Sequence, residues 1–329
     1  MVQIKNPLTI VQTGGGGGGT TRPTTWAEFA ALSLPEAQSI YRVGDRVGIP
    51  CGTGWGEVYW QVANFGVTKK ENDNNTYPCV TLFAGVCLTG TYTFDAAETP
   101  LEATEATAEA GVYYFGYDGS SYTSLGLSAG DPIPYGSYTA VYKTDVTDNA
   151  TTYNTIKNSG WSNWKYSNIR RWLNSTAELG QWWTPSHVGD AVASSFQNQS
   201  GFLHDIDYEF WNILQKTQVT TKGDPTTDGS FYDTYDYIFL PSYWEVGGTG
   251  ANAPEEGTQS AIYLNNAVIN KGLIVHSPEG SAALSIWWLR TCSSVAQPRT
   301  ISAAGAVAAR NATQGASPVI ACKIILTGE

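Results

Sequence analysis

Four aspartates, Asp224, Asp228, Asp233 and Asp236, fall within one short stretch of this chain. Carboxylates at such spacing can ligate Ca²⁺, a hard cation that takes oxygen ligands. Their order does not match an EF-hand loop, and the stretch reads as a solvated acidic loop rather than a metal site. Asp205, Asp207 and Glu209 form a second acidic group that could supply an acid/base pair. They also flank the start of an apolar-periodic run, where carboxylates stabilise a helix dipole, and that reading is preferred. His187, His204 and His276 show no HExxH spacing, and the chain has no Gly-x-Ser-x-Gly elbow, Walker loop or GxGxxG. Zinc-protease, serine-hydrolase, P-loop and dinucleotide chemistry therefore lack support.

The five cysteines, Cys51, Cys79, Cys87, Cys292 and Cys322, are odd in number and widely spaced, with no CxxC pair. That is neither a disulfide framework nor a zinc site, and they read as buried small hydrophobes. No residue is assigned a catalytic role, no metal or cofactor is expected, and the chain reads as a non-enzyme.

What stands out instead is a pattern near residue 290. A rigid aromatic run, Trp287-Trp288-Leu289-Arg290, opens it. A tract of mostly small residues, Cys292 to Ala316, follows, and an apolar strand, Val319 to Leu326, closes it. Heavy frame, light tract and heavy frame again is how a rigid core holds out a binding surface.

The elements that must position such a surface can be read in outline. Thr25 caps a helix over Trp26 to Leu32, with Glu28 in its first turn. Tyr41 to Asp45 reads as strand and turn, and Val47–Pro50, Val58–Val62 and Val80–Leu88 read as strands. Residues 95–110, rich in Ala, Glu and Thr, read as a linker or short helix. Val112–Phe115 and Tyr138–Tyr142 resume strand character. Ser167 caps a helix with Ile169, Trp172 and Leu173 on one face, and Tyr208 to Leu214 is a second amphipathic helix. Tyr237 to Leu240 reads as a buried strand. The tryptophans Trp161, Trp164, Trp172, Trp182, Trp183, Trp287 and Trp288 read as core rather than as sugar-stacking platforms. The expected class is α+β, divided into an arm with a poly-Gly hinge (1–24), a small β-rich spacer or anchor unit (25–110) and a ligand-binding domain (111–329) with two helices and short antiparallel strands.

Residues 1–12 read as an extended segment with Ile4, Leu8, Ile10 and Val11 as sticky positions, able to add a strand to a partner. The run Gly14 to Gly19 is a hinge or tether. No apolar stretch near residue 1 suits a signal peptide, so the chain is expected to be made in the cytoplasm and to leave by another route. No segment suits a membrane span. At 329 residues, with 42% hydrophobic, 12% aromatic and only 14% charged residues, the chain draws its polar surface mostly from Ser, Thr, Asn, Gln and Gly. A net charge of −11 without a Lys/Arg cluster excludes a free nucleic-acid binder and disfavours acidic membrane surfaces.

Taken in order, NIRRWLNS (168–175), WW (182–183), GFLHDIDYEF (201–210), YDYIFLPSYWEV (235–246), SIWWLRTCSS (285–294) and PVIACKI (318–324) resemble the DUF6273-type domain of Firmicutes bacteria and their phages. TWAEF (25–29), VGD (43–45), VYWQVANFG (58–66) and TFDAAE (93–98) resemble the segment that often precedes it. The resemblance implies a fold related to C-type lectins and formylglycine-generating enzymes. It implies that Trp287, Trp288 and Arg290 are scaffold, with Arg290 anchoring the loop frame. It further implies that 293–316 forms the ligand face, a tract that diversity-generating retroelements rewrite in phage-borne relatives. The implied contact residues are Ser293, Ser294, Val295, Gln297, Arg299, Ser302, Arg310, Asn311, Thr313 and Gln314.

The EPN, QPD and WND triplets of calcium-dependent lectins are absent, and Gln297-Pro298-Arg299 is not one of them. Cys292 and Cys322 do not supply the cysteine pair of the formylglycine-generating enzymes. The expectation is therefore a phage virion adhesin of receptor-binding or fibre type. Residues 1–12 would dock to a virion structural protein, and the tip would bind a host surface protein or glycan. A homotrimer is expected by analogy with phage fibres, and the site of action is the virion surface. The alternative is a bacterial binding protein with the same tip and no virion partner.

Overall fold

The computed structural model describes residues 21–328 apart from 86, 89, 225, 227–228, 251–252, 261–285 and 303. The expected arm at 1–12, the glycine run, Asp228 and His276 lie outside the described residues. Thr25 closes a capping box over α1 (Trp26–Ala30): its hydroxyl accepts the Glu28 N–H, and the Glu28 carboxylate accepts the Thr25 N–H. Glu36 accepts from the Ser33 N–H and hydroxyl at the head of a second helix, α2 (Leu34–Ile40), which the sequence reading missed. The 41–45 segment makes the expected turn but no strand, and Val47–Pro50 forms no strand either.

A hairpin of β1 (Gly52–Thr53) and β2 (Gly56–Glu57) leads into the central sheet. There β3 (Trp60–Lys69) and β4 (Thr76–Ala84) pair antiparallel, and β16 (Ala321–Ile325) joins the other edge of β4. Alternation sorts the side chains. Val80, Leu82, Cys322 and Ile324 are fully buried on one face, while Cys79, Thr81, Phe83 and Lys323 share the other. β5 (Tyr92–Thr93) pairs with β15 (Gly315–Ala316), and β10 (Thr217–Lys222) pairs with β11 (Phe231–Asp236). β12 (Trp287–Ser294), β13 (Gln297–Ile301) and β14 (Val307–Ala309) form a meander. A four-stranded sheet runs β6 (Leu101–Glu102), β9 (Ala140–Thr144), β7 (Tyr113–Tyr117), β8 (Tyr122–Ser124). Small antiparallel sheets with a few short helices make the class α+β.

Hydrophobic packing does not divide at residue 110. One buried cluster runs from Trp26 to Leu326 and takes in both expected units. Phe210 of α5 (Tyr208–Ile213) lies edge-on to Trp26 at 4.6 Å and stacks on Trp60 at 5.2 Å. Such ring pairs contribute roughly 0.5–1.5 kcal/mol beyond their burial. With β4 sandwiched between β3 and β16, the 25–110 segment has no separate core. The part that does is an outgrowth. Ala103, Ala108, Tyr114, Ile133 and Val141 form a small cluster within the β6–β9–β7–β8 sheet. Phe115, on the opposite face of that sheet from Tyr114, stacks on Tyr153 at 4.6 Å and so ties the outgrowth to α3 (Ala150–Ser159).

Helix α4 (Asn168–Leu173) forms where expected, with Ser167 as cap and Ile169, Trp172 and Leu173 buried. α3 was not expected. Its sequence, ATTYNTIKNS, is poor in helix formers and turns only Tyr153 and Ile156 inward. Residues 95–110 hold no helix, and Ile238–Leu240 is buried, with Tyr237 partly so, but among the described residues it joins a sheet only through the Phe239–Ala321 bridge.

Candidate functional site

Arg290, in the middle of β12, spends every guanidinium donor. Nε donates to Thr221 Oγ1, Nη1 to Leu240 O and Glu245 Oε2, and Nη2 to Thr220 O and Glu256 O, at 2.6–3.2 Å. A planar fork suits such a set of carbonyls and a carboxylate. Three segments that share no sequence proximity, β10, the 240–245 turn and the chain at 256, are thereby clamped to β12. Trp287 and Trp288 beside it are fully buried, and Trp288 Nε1 donates to Tyr92 O at 2.7 Å.

The meander carries the tract out from this frame. β12 and β13 meet in a tight turn at Val295–Ala296, with Ser294 opposite Gln297. Ser162 supports that turn: its N–H donates to Val295 O (2.8 Å) and its hydroxyl to Ser294 O (2.5 Å). Thr313 N–H donates to Ser159 O at the end of α3. Four of the expected contact residues form one polar chain. Ser294 Oγ donates to Gln297 Oε1, Gln297 Nε2 donates to Asn311 Oδ1, and Gln314 Oε1 accepts the Asn311 N–H, each at 3.2 Å. The side-chain amide N–H groups of Asn311 and Gln314 have no partner among the described residues. Ser293 and Gln314 are exposed; the other eight candidates are half-buried.

Not all ten converge. Ser302 closes its own turn with Ala306. Arg299 lies over the Tyr243 ring at 5.6 Å. Because Arg299 pairs with Ala309, Arg310 projects from the opposite face of the β13–β14 ribbon.

Beneath the tract lies a buried polar layer that the sequence reading did not foresee. Asn163 Nδ2 donates to Asp224 Oδ2 (3.1 Å), and Tyr232 Oη donates to Asn163 Oδ1 (3.1 Å). Glu256 accepts the Lys222 N–H (2.8 Å) and a short hydrogen bond from Thr291 Oγ1, and the Cys292 thiol sits 3.5 Å from Gly223 O. Burial pushes the Glu256 carboxyl up to about 7, against the charge of Arg290. The Cys292 thiol is pushed up to about 12, again by burial.

The acidic stretch is not a solvated loop. Asp224 and Asp236 are buried, and Asp236 is neutralised by Arg170 (2.7 Å) and accepts Trp164 Nε1–H. Asp233 is exposed and accepts from Gln218 and Thr220. These carboxylates face different partners, and no group of three or more His, Cys, Asp or Glu side chains among the described residues is arranged to hold a metal. Asp207 caps α5, accepting the Glu209 and Phe210 N–H groups, while Asp205 pairs with the exposed His204. All five cysteines are free. Cys322 lies near Cys51, whereas Cys292 neighbours Glu256 and Asp224, so the two do not form a thiol pair.

A second buried group surrounds His187. Its Nε2 lies 2.9 Å from Glu98 Oε1, and its Nδ1 lies 3.0 Å from Ser186 Oγ. Asp190 joins through Ser186 and Arg171. Asp95 accepts from the Asn168 N–H and side-chain amide and from the Trp161 N–H. Burial pushes Asp95 up to about 8, helped by the Asp190 charge. Burial alone would lower His187, but the hydrogen bond and charge of Glu98, with Asp190 and Asp95, raise it. The signal for this group was present in TFDAAE (93–98), an acidic pair set in an apolar run.

The frame is α+β and is clamped by the buried Arg290, with a polar loop tract beside it. A family profile described as "Domain of unknown function (DUF6273)" matches residues 138–323, more than half of the chain, and the chain belongs to that family. No curated protein and no solved structure matches it. No helix among the described residues is long and apolar enough to cross a membrane.

Proposed function

We propose that the chain is a binding protein whose ligand face is built around Ser294, Gln297, Asn311 and Gln314. The carrying observation is the contrast between frame and face. Arg290 has every donor satisfied inside the protein, whereas Asn311 and Gln314, linked in one chain a short way along, keep amide donors with no partner among the described residues. Ordered polar groups on a rigid base lose little entropy on binding.

On this reading the fold is C-type-lectin-like, and the protein is a phage virion adhesin of receptor-binding or fibre type. Residues 1–12 dock to a virion protein, and the tip engages a host surface protein or glycan as a homotrimer. The family resemblance and the tract composition support it. The test is to sequence the gene and its flanks across isolates. Substitutions confined to 293–316, beside a near-identical template repeat and a reverse transcriptase, would support a diversified tip. A uniform tract among phage structural genes would leave an adhesin of fixed specificity. Placement among bacterial housekeeping genes would overturn the virion role and leave the bacterial binding protein.

A further inference from the structure

The outer face of the central sheet carries a polar row inside otherwise apolar packing. Register places Lys323 of β16 opposite Thr81 of β4, and Thr81 opposite Asn64 of β3. All three line a small recess of about 50 Å³, whose other walls include Glu245 and the Gly257–Thr258 backbone. That is well below the roughly 300–1,000 Å³ of sites for drug-sized ligands, so only an ion or molecule of a few heavy atoms fits.

The row is rich in donors and short of acceptors. Lys323 Nζ makes one hydrogen bond, to Gln218 O at 2.5 Å, and no carboxylate among the described residues lies within ion-pair distance of it. Asn64 Oδ1 is taken by the Phe65 N–H (2.9 Å), which leaves its amide N–H groups unspent. The Thr81 hydroxyl has no partner among the described residues. Burial disfavours the charged form of Lys323 and the charge of Glu245 only partly offsets this; an anion with acceptor oxygens relieves the remaining cost by charge-assisted hydrogen bonds.

The opposite wall limits the charge of that anion. Glu245 Oε2 is held by Arg290 (2.6 Å) and the Ser242 N–H (2.9 Å). Its Oε1 faces Gly257, where an added Cβ would stand 2.4 Å away, so only glycine brings the backbone so close. A ligand with two negative charges would meet this carboxylate as well as Lys323. A single negative charge matches Lys323, the cation among the described residues that line the recess.

We propose that this recess binds a small monocarboxylate, with its carboxylate on Lys323 Nζ and the Thr81 hydroxyl and the Asn64 amide as further donors. The site is separate from the loop tract and does not depend on the reading of that tract.

The test is ligand-observed NMR of ¹³C-acetate with the full chain, against chloride at matched ionic strength. Saturable single-site binding is expected, lost in Lys323→Met and weakened about tenfold in Thr81→Val, the scale of one charge-assisted hydrogen bond. Thr81→Val is close to isosteric and carries the test if Lys323→Met does not fold. No saturable acetate site, or affinity unchanged in Thr81→Val, would overturn the assignment. Inorganic phosphate competing with acetate on equal terms would overturn the preference for a monoanion.

Discussion

Arg290 Nη1 and Glu245 Oε2 meet at 2.6 Å, with their side chains 0% and 5% exposed. The pair is buried, and the remaining donors of the arginine all end on oxygens from other segments. A pair satisfied to this degree acts as a clamp, because loss of one partner strands the other without water.

Replacement of Arg290 by Met should therefore cost about 3–5 kcal/mol of stability, the usual penalty for breaking a buried ion pair. Arg290→Lys should recover less than half of that, since an ammonium offers three donors and no fork. Urea denaturation measures both. A loss under about 1 kcal/mol for Arg290→Met, the size expected of a surface pair, would contradict the clamp.

Stability should fall as pH rises from 5 to 8. Asp95, Glu98 and Glu256 are all raised by burial, Asp95 to about 8 and Glu256 to about 7, and His187 is raised by Glu98 and the nearby aspartates. In each case the folded chain holds a proton to a higher pH than the unfolded chain does. The carboxyls act from their unfolded values upward, and His187 acts from about 6.5 through its folded value. Glu256→Gln keeps an acceptor for the Lys222 N–H and should flatten the slope. A stability that rose between pH 5 and 8 would count against this account.

Asp207→Ala should cost about 1 kcal/mol, the typical loss of an N-cap. Asp207 Oδ1 accepts the Glu209 N–H at 2.9 Å and the Phe210 N–H at 3.2 Å. Asp207→Asn or Asp207→Ser, both good caps, should restore most of the loss. Failure of Asn to restore it would show that the charge matters beyond the cap.

Phe115→Ala should loosen the outgrowth before the main core. Phe115 stacks on Tyr153 at 4.6 Å with an interplanar angle of 2°, and Tyr122 meets the same ring edge-on at 5.2 Å, so these contacts join the four-stranded sheet to α3. A loss of about 3–5 kcal/mol is expected for a buried Phe truncation. Calorimetry should then show a second, earlier transition, and limited proteolysis should cut first between 101 and 144. A single unshifted transition would mean that the outgrowth melts only with the rest.

Local signals were legible and distant ones were not. The caps at Thr25, Ser167 and Asp207 sit within a few residues of the helices they start, so sequence spacing reveals them. The five oxygens around Arg290 come from 220, 221, 240, 245 and 256, and nothing near residue 290 announces them. α3 escaped notice because Thr and Asn fill it and tertiary packing of Tyr153 and Ile156 sustains it. The packing that runs across residue 110 was hidden for a similar reason. A shift in composition at 95–110 marks the entry to an outgrowth, not the end of a core. In the acidic stretch, Asp236 looked solvated because Arg170, its partner, lies far back in the chain.

The pairing of β4 with β16 also sets an order of events during synthesis. β16 follows β4 by more than 230 residues. Until the later strand leaves the ribosome, one edge of β4 has no neighbour, and the nascent chain must carry an unpaired, apolar strand while the intervening residues are made. Closing so long a loop is entropically slow. The protein is therefore expected to need chaperone cover until β16 emerges, and a fragment cut to the family match at 138–323 would lack β4 altogether and break β16 after Lys323.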